Sequence, residues 1–171
     1  SVNFVQRITV VDTTAPVVST VAGSLDRTVE CSNPAGLNAA LALVPTATDN
    51  CSTRASLTIN LVSDVTTTVC ANGYVQVRTW NFEDECGNIS ADFVQTITVV
   101  DTQAPSITTA PSSLNRTLEC SDSIGIAQAL TLIPTATDNC SSFAGITMNL
   151  VSDVTTPTCA QGYVQVRTWN F

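Results

Sequence analysis

The chain contains no lysine and no histidine, and its six basic residues are all arginine. Without histidine it lacks the side chain that most often serves as a general base, and no Ser-His-Asp set can form. The net charge of −8 leaves no basic surface of the kind that binds nucleic acid. We therefore expect neither an enzyme nor a nucleic-acid-binding protein.

Long apolar runs and paired metal-binding cysteines are also missing. No segment approaches the roughly 18 apolar residues of a membrane span, so we predict no membrane span. Without a C-x-x-C pair or a histidine, a zinc site is a poor explanation for the seven cysteines. Cysteines in an acidic, threonine-rich chain instead indicate an oxidising compartment. We expect a secreted protein, extracellular or on the cell surface.

A repeat of 89 residues organises what the chain does contain. The segment Ile8–Pro16 returns as Ile97–Pro105, and Gly73–Phe82 returns unchanged as Gly162–Phe171. This frame predicts the last strand of a preceding repeat plus a joint over 1–12, a complete repeat over 13–101, and a second repeat over 102–171 without its final loop and strand. We expect a window onto a longer array with stiff, proline-containing joints.

Short alternating segments predict about seven strands in each repeat. Phe4–Val11 and Phe93–Val100 each predict a strand, and Tyr74–Phe82 predicts the longest one. One or two helical turns are expected over Leu37–Leu43 and over its counterpart Ile124–Leu132. The pattern predicts an all-β fold of tandem immunoglobulin-like Greek-key β-sandwiches in a head-to-tail array.

Both faces of the long predicted strand are partly apolar, which leaves its orientation open. Trp80 and Phe82 share one face, while Val75 and Val77 share the other. Either a bulge shifts the alternation or the Trp80 face meets a neighbouring module. A buried tryptophan is the interpretation that the sequence favours.

Four motifs resemble a known family of repeats. They are Ala47–Cys51, Arg78–Trp80, Asp84–Asn88 and Ile97–Pro105, and together they resemble the HYR-like (hyalin repeat) immunoglobulin-like modules of Bacteroidetes surface adhesins and gliding-motility-type repeat proteins. The resemblance implies an extracellular, tandem, non-catalytic array, exported by the type IX route, whose partners are neighbouring copies of the same repeat.

We accordingly expect a structural repeat of an extracellular filament or of a long cell-surface adhesin. Two alternatives stay open. In the first, the module is an adhesin domain that binds a surface glycan or protein, with Trp80 or Tyr74 stacking on a sugar. In the second, the chain is a filament subunit that polymerises when residues 1–11 of one copy supply the strand missing from another.

The immunoglobulin-like order favours one of the three pairings that four cysteines allow. Loops at one end of the module would hold Cys51 and Cys86, and segments at the opposite end would hold Cys31 and Cys70. The predicted disulfides are therefore Cys31–Cys70 and Cys51–Cys86, with Cys120–Cys159 in the second repeat. Cys140 is predicted to be unpaired because its partner would lie beyond Phe171.

The same order gathers acidic residues at the joints. Three loop segments carry Asp12, Asp49, and Glu83 with Asp84, and the second repeat offers Asp101 and Asp138. Calcium suits carboxylates from flexible loops, so these residues predict a calcium site at each inter-repeat joint. Alternatively the acids cap turns through their own backbone, and the sequence favours this simpler explanation.

Short acceptor patterns predict possible glycosylation. Asn88 and Asn115 begin N-glycan sequons. Thr13 and Ser123 lie in Asp-Thr and Asp-Ser patterns that resemble the O-glycan acceptors of Bacteroidetes. Such short matches arise often by chance.

Overall fold

The computed structural model describes the backbone of all 171 residues and every side chain except that of Phe143. It divides into two compact units, Ser1–Val100 and Asp101–Phe171, which we call the first and second units. The division falls beside the sequence boundary predicted between residues 101 and 102. Among the described residues, no helix has the length and apolar character needed to cross a membrane.

The first unit is built mainly of strands. Its elements are β1 (Val17–Val18), β2 (Arg27–Glu30), α1 (Pro34–Leu41), β3 (Ala47–Thr48), β4 (Thr58–Cys70), β5 (Gly73–Glu83) and β6 (Phe93–Val100). Four strands form one sheet in the order β2-β6-β5-β4, and β1 pairs with β3 in a separate antiparallel pair. Only β2 and β6 run parallel in the larger sheet. The all-β prediction is confirmed, and β4, β5 and β6 form an antiparallel run within the larger sheet.

The core lies where α1 covers the face of the sheet that β6 dominates. Successive strand residues point to opposite faces, so every second residue of β6 is buried. Ile97 is completely inaccessible to solvent, and Val99, Val29 and Ala40 pack in the same apolar cluster. Because β2 and α1 both contribute to this cluster, β6 is the strand on which the core is assembled.

The register of β5 places Trp80 in this core. Tyr74 lies opposite Val99 and Trp80 lies opposite Phe93, so the tryptophan shares the buried face of β6. Trp80 is 3 % exposed, and its ring centroid lies 6.4 Å from that of Phe93. The interpretation of Trp80 as a core residue is confirmed. The register shifts occur between residues 61 and 63 and between residues 68 and 70 of β4, so β5 keeps its alternation.

A buried amide ties the helix to the sheet. Gln95 is fully buried, and its Nε2 donates to the carbonyl oxygens of Leu25 (2.8 Å) and Ala40 (3.1 Å). Arg78 Nη1 donates to Gln95 Oε1 at 3.3 Å and to the Leu41 carbonyl oxygen at 2.8 Å. Buried polar groups of this kind are stable only when their hydrogen bonds are made, so the contacts fix where α1 sits.

The helix predicted after the first cysteine is confirmed: it begins at Pro34, within the start that Ser32-Asn-Pro34 indicates, and ends at Leu41, two residues before the predicted Leu43. The side chain of Asn33 accepts a hydrogen bond from the Gly36 amide at 2.9 Å, and Pro34 is the first helical residue. In the second unit Asp122 caps the Gly125 amide in the same way, also at 2.9 Å. The cap residue therefore decides where each helix starts.

The second unit repeats this pattern over a smaller set of strands. Its elements are β7 (Ser106–Ile107), α2 (Ser123–Thr131), β8 (Ala136–Thr137), a 3-10 turn (Phe143–Gly145), β9 (Asn149–Pro157) and β10 (Tyr163–Asn170). β7 pairs with β8, and β9 pairs with β10. Arg167 donates to the Leu130 carbonyl oxygen at 2.8 Å and lies 4.6 Å from the centre of the Trp169 ring. These contacts correspond to those of Arg78 in the first unit.

Residues 116–119 are the repeat counterpart of β2, yet they form no strand. In the first unit β2 hydrogen-bonds only to β6. The second unit contains no strand that corresponds to β6, so the segment has no neighbour to satisfy its backbone groups. Strand formation here depends on the partner and not on the local sequence.

The strand predicted over Phe4–Val11 is wrong for the same reason. These residues repeat the pattern of β6, but the structure assigns them no strand. Phe4, Ile8 and Val10 are 92 %, 77 % and 90 % exposed. An alternating apolar sequence becomes a strand only beside another strand, and this segment has none within its unit.

Ile8 and Ile97 occupy the same position of the repeat, which gives a matched pair of substitutions. We expect Ile97→Ala to destabilise the first unit by about 2–5 kcal/mol, because it empties the centre of the core. Ile8→Ala should change the free energy of unfolding by less than about 0.5 kcal/mol. Denaturant unfolding of both variants under reducing conditions measures this difference, and equal effects would contradict the assignment of the core.

Candidate functional site

Three loops of the first unit bring acidic side chains together. Asp12 precedes β1, Asp49 follows β3, and Asp84 follows β5. One carboxylate oxygen of each residue lies within 4.8 Å of the others, and we call this group the three-aspartate cluster. Glu83, which the sequence placed with them, is the last residue of β5 and lies outside this group.

Backbone amides hold one oxygen of two of these carboxylates. Asp49 Oδ2 accepts hydrogen bonds from the amides of Cys51 and Ser52, both at 2.9 Å. Asp12 Oδ1 accepts a hydrogen bond from the Thr14 amide at 3.0 Å. This is the turn-capping role that the sequence suggested, and it fixes the orientation of both carboxylates.

Turn capping leaves the second oxygen of each of these residues unused. Asp12 Oδ2 and Asp49 Oδ1 are buried and have no hydrogen-bond partner among the described residues. A buried polar atom without a partner costs roughly 1–3 kcal/mol, and more when it is charged. Such atoms are rare in folded proteins and call for an explanation.

The second unit shows the same feature at the repeat positions. Asp138 Oδ1 accepts hydrogen bonds from the amides of Cys140 (2.9 Å) and Ser141 (2.7 Å), while Asp138 Oδ2 is buried without a partner. Asp101 Oδ1 is also buried without a partner in the described part of the chain. The backbone hydrogen bonds of Cys140 and Ser141 lower the pKa of Asp138 below its ordinary value.

Asp84 is the most deeply buried carboxylate of the cluster, at 6 % exposure. Its Oδ1 accepts hydrogen bonds from the amides of Cys86 (2.9 Å) and Asn88 (2.8 Å), and its Oδ2 accepts one from Asn88 Nδ2 (2.8 Å). The side-chain hydrogen bond from Asn88 is the largest cause that lowers the pKa of Asp84, against the opposing effect of desolvation. Gly87 makes this tight loop possible, because its φ of +84° is strained for other residues.

Asn88 is the partner whose role the sequence did not reveal. It was singled out only as a glycosylation acceptor, but its Nδ2 also donates to the Asp12 carbonyl oxygen at 3.3 Å. The side chain thus joins the loop after β5 to the segment before β1. The spacing of Asp84 and Asn88 across Gly87 was the available signal, since Asp and Asn commonly bond within such turns.

None of the ion pairs in the described part of the chain involves a carboxylate of the cluster. The ion pairs among the described residues join Arg78 to Asp64 (3.6 Å) and Arg167 to Asp153 (3.8 Å). Arg27 instead donates to the carbonyl oxygens of Ser24 and Asp26. The three carboxylates therefore face one another without an arginine between them.

Cys51 and Cys86 lie in the loops that carry the cluster. Desolvation, and next the negative charges of Asp12 and Asp49, raise the pKa of the Cys51 thiol above its ordinary value. A side-chain contact of the thiol with the Asp12 carboxylate, and then Cys86, contribute less. A raised pKa disfavours the thiolate, so Cys51 has no character of a reactive nucleophile. The predicted partners Cys51 and Cys86 are thus close enough to interact, although both are free thiols in the structure.

The remaining disulfide predictions are wrong in this structure. Cys70, Cys120 and Cys159 are free thiols, whereas Cys31 and Cys140 are disulfide-bonded. The pairs Cys31–Cys70 and Cys120–Cys159 are therefore not formed, and Cys140 is not unpaired. The physical reason is clear in the first unit, where Cys31 follows β2 and Cys70 ends β4 at the opposite edge of the sheet. Three strand spacings separate them by roughly 14 Å, far beyond the limit of about 7 Å between bonded cysteine Cα atoms.

The predicted glycosylation residues differ in their accessibility. Thr13, Asn115 and Ser123 are exposed, and Ser123 is the first residue of α2. Asn88 is half-buried, and the amide nitrogen that would carry a sugar is committed to Asp84 and Asp12. An N-glycan on Asn88 Nδ2 would disrupt the hydrogen bonds through which this nitrogen holds the cluster.

The lowered pKa of Asp84 predicts how the first unit responds to acid. An aspartate whose pKa is lower in the folded state stabilises that state above its ordinary pKa of about 4, and this contribution is lost as the pH falls through the lowered value. Asn88→Ala removes the main cause of the shift. We expect it to lower the melting temperature near neutral pH and to shrink the additional loss of stability at about pH 2.

Differential scanning calorimetry in EDTA at both pH values measures this effect. Asn115→Ala serves as the control, because Asn115 is exposed in the second unit. An Asn88→Ala variant that loses as much stability on acidification as the unsubstituted chain would show that this hydrogen bond does not set the pKa.

A known protein family resembles only part of the chain. Neither a curated protein nor a solved structure matches the chain. Residues 19–99, slightly less than half of the chain, match a family model described as an HYR-like domain with 4 cysteines. That range holds Cys31, Cys51, Cys70 and Cys86. It contains the elements from β2 to β5 completely and β6 up to Val99, whereas β1 lies just before it. The resemblance seen in the motifs is thereby supported for the first unit, which is similar to the HYR-like domains with four cysteines.

Proposed function

We propose that the chain is a non-catalytic structural repeat of an extracellular filament or long cell-surface adhesin, of the kind found in Bacteroidetes. The match to an HYR-like domain suggests an adhesion-type repeat module. The proposal goes further, to tandem immunoglobulin-like modules joined head to tail. Its support is the repetition of the same stabilising contacts in both units.

That repetition extends to individual atoms. Gln76 Nε2 donates to Asp64 Oδ1 at 2.6 Å, and Gln165 Nε2 donates to Asp153 Oδ1 at 2.6 Å. Arg78 lies 4.5 Å from the centre of the Trp80 ring, close to the 4.6 Å of the equivalent pair in the second unit. What the two units share is a structural framework and not a set of catalytic residues. Such a chain is suited to a mechanical role along an array.

A stiff joint is part of this proposal, and the first unit supports it. Pro16 is buried and fixes its own φ, and Asn88 binds the Asp12 carbonyl oxygen just before it. The segment that leads into β1 is therefore anchored to the body of its unit. An array with joints of this kind would resist bending and proteolysis.

A glycan-binding role for the aromatic residues has less support. Trp80 is 3 % exposed, and Tyr74 packs against the core cluster. A sugar stacks on an accessible ring face, which neither residue offers without opening the core. The structural role therefore accounts for the aromatic residues better than carbohydrate binding does.

The extracellular location remains a proposal, and it bears on the cysteines. Because Cys51 and Cys86 lie in the loops that carry Asp49 and Asp84, we expect them to form a disulfide in an oxidising compartment. Peptide mapping of native material by mass spectrometry, without reduction, should find this linked pair. Immunogold labelling of intact cells tests the location itself, and label confined to the cell interior would contradict the proposal.

The exposed segment 1–11 favours a second mode of assembly. Its side chains at Phe4, Ile8 and Val10 correspond to the buried positions of β6, and β10 pairs with β9 on one side only. We propose as the alternative that this segment of one copy adds to the sheet of another. A single long chain of modules needs no such exchange.

Substitutions on the two faces of the segment separate these assemblies. Ile8→Asp would place a charge in the core of the receiving sheet and should abolish polymerisation of the purified chain, whereas Thr9→Asp on the outward face should not. Analytical ultracentrifugation measures the result. If the unsubstituted chain sediments as a monomer, strand exchange is wrong and native material should instead contain a giant polypeptide under denaturing, reducing conditions.

A further inference from the structure

We propose that the three-aspartate cluster of the first unit is a binding site for Ca²⁺ that ties three loops together. The cation would join Asp12 in the segment before β1 to Asp49 after β3 and Asp84 after β5. The isolated chain should bind the ion, wherever the protein is located and however it assembles.

The spacing of the carboxylates suits a single calcium ion. Calcium binds oxygen at about 2.3–2.6 Å, so two ligands on opposite sides of one ion lie no more than roughly 5 Å apart. The ligand oxygens of the cluster lie within 4.8 Å of one another. One ion at their centre could therefore contact all three without any large movement of the loops.

The unpaired carboxylate oxygens support the site independently of the spacing. Asp49 Oδ1 is buried and has no partner in the described part of the chain, although backbone amides hold the other oxygen. Asp12 Oδ2 is also buried without a partner at hydrogen-bond geometry, and the side chain that interacts with the Asp12 carboxylate is the weakly donating Cys51 thiol. A protein seldom buries charged oxygens in this way without a compensating group. A cation supplies that group for both residues at once.

Turn capping does not explain why these residues are acids. Asparagine caps such turns through the same oxygen and carries no charge. Three aspartates within 4.8 Å and without an arginine partner should repel one another when the site is empty. The excess negative charge becomes favourable only when a cation is bound.

The second unit repeats the unpaired oxygens at two equivalent positions. Asp101 and Asp138 occupy the repeat positions of Asp12 and Asp49, and each has one buried oxygen without a partner among the described residues. A feature that recurs at equivalent positions is a property of the repeat and not an accident of one loop. The same cation site would therefore recur along an array.

The chemistry of the donors selects the type of ion. All three ligands are hard carboxylate oxygens, which favour calcium or magnesium over softer metals. Calcium accepts six to eight oxygens in irregular geometry, so water molecules would complete its shell beside ligands from three loops. Magnesium requires a near-ideal octahedron, which loops of different origin are less suited to supply.

Substitution of aspartate by asparagine tests the proposal without removing the turn caps. The full chain is treated with EDTA, and calcium binding is then followed by isothermal titration calorimetry and by the melting temperature of the first unit. We expect calcium to raise that melting temperature in a concentration-dependent way. In the double variant Asp12→Asn and Asp49→Asn we expect this shift to be lost and the affinity to fall at least tenfold.

The behaviour of the calcium-free variants separates ligation from a structural effect. Because the substitution removes repulsion and keeps the cap, the double variant in EDTA should melt no lower than the unsubstituted chain. Asp92→Asn is the matched control, since Asp92 is exposed and lies outside the cluster.

Two results would overturn the site. One is a calcium response in the double variant equal to that of Asp92→Asn. The other is a shift of the unsubstituted chain that sodium chloride at the same ionic strength reproduces, because simple screening would then explain it.

Discussion

Every strand in this fold depends on the hydrogen-bonding groups of a neighbouring strand. In the larger sheet, β6 supplies these groups to the strand on each of its two sides. It pairs in parallel with β2 and antiparallel with β5, and its inward side chains form the centre of the core. Where no equivalent of β6 is present, residues 116–119 do not become a strand. Side chains that correspond to half-buried ones, such as Val164 and Val166, are then more than half exposed. The partner strand is thus the condition for both the sheet and the core.

The polar contacts around α1 depend on that sheet in turn. Gln95 on β6 and Arg78 on β5 bind carbonyl oxygens at or near the end of the helix, so the sheet determines the position of α1. The loop that carries Asp84 follows β5 of this sheet, whereas Asp49 follows β3 of the separate β1-β3 pair. Paired strands can hold carboxylates from separate loops at short distances, which loops alone could not do.

The elements that the sequence predicted well are those with a strong local pattern. Alternation located β6 at its observed bounds, and the proline after Asn33 announced a helix. The failure at Phe4–Val11 has the opposite cause, since the same alternation has no partner there. The pairing of Cys31 with Cys70 failed because the order of strands across a sheet is a long-range property. The sequence also placed three acids at one end of the module, but only coordinates show that two of their oxygens are buried and unbonded.

The distribution of the two tryptophans has a practical consequence for spectroscopy. Trp80 is buried in the first unit, whereas Trp169 in the second unit is only partly covered, and each lies beside one arginine. Each unit therefore contains its own single indole fluorophore, in surroundings of different polarity. Replacing one indole with phenylalanine leaves an emission spectrum that reports on the other unit alone, so the melting of neighbouring modules can be followed separately within one intact polypeptide.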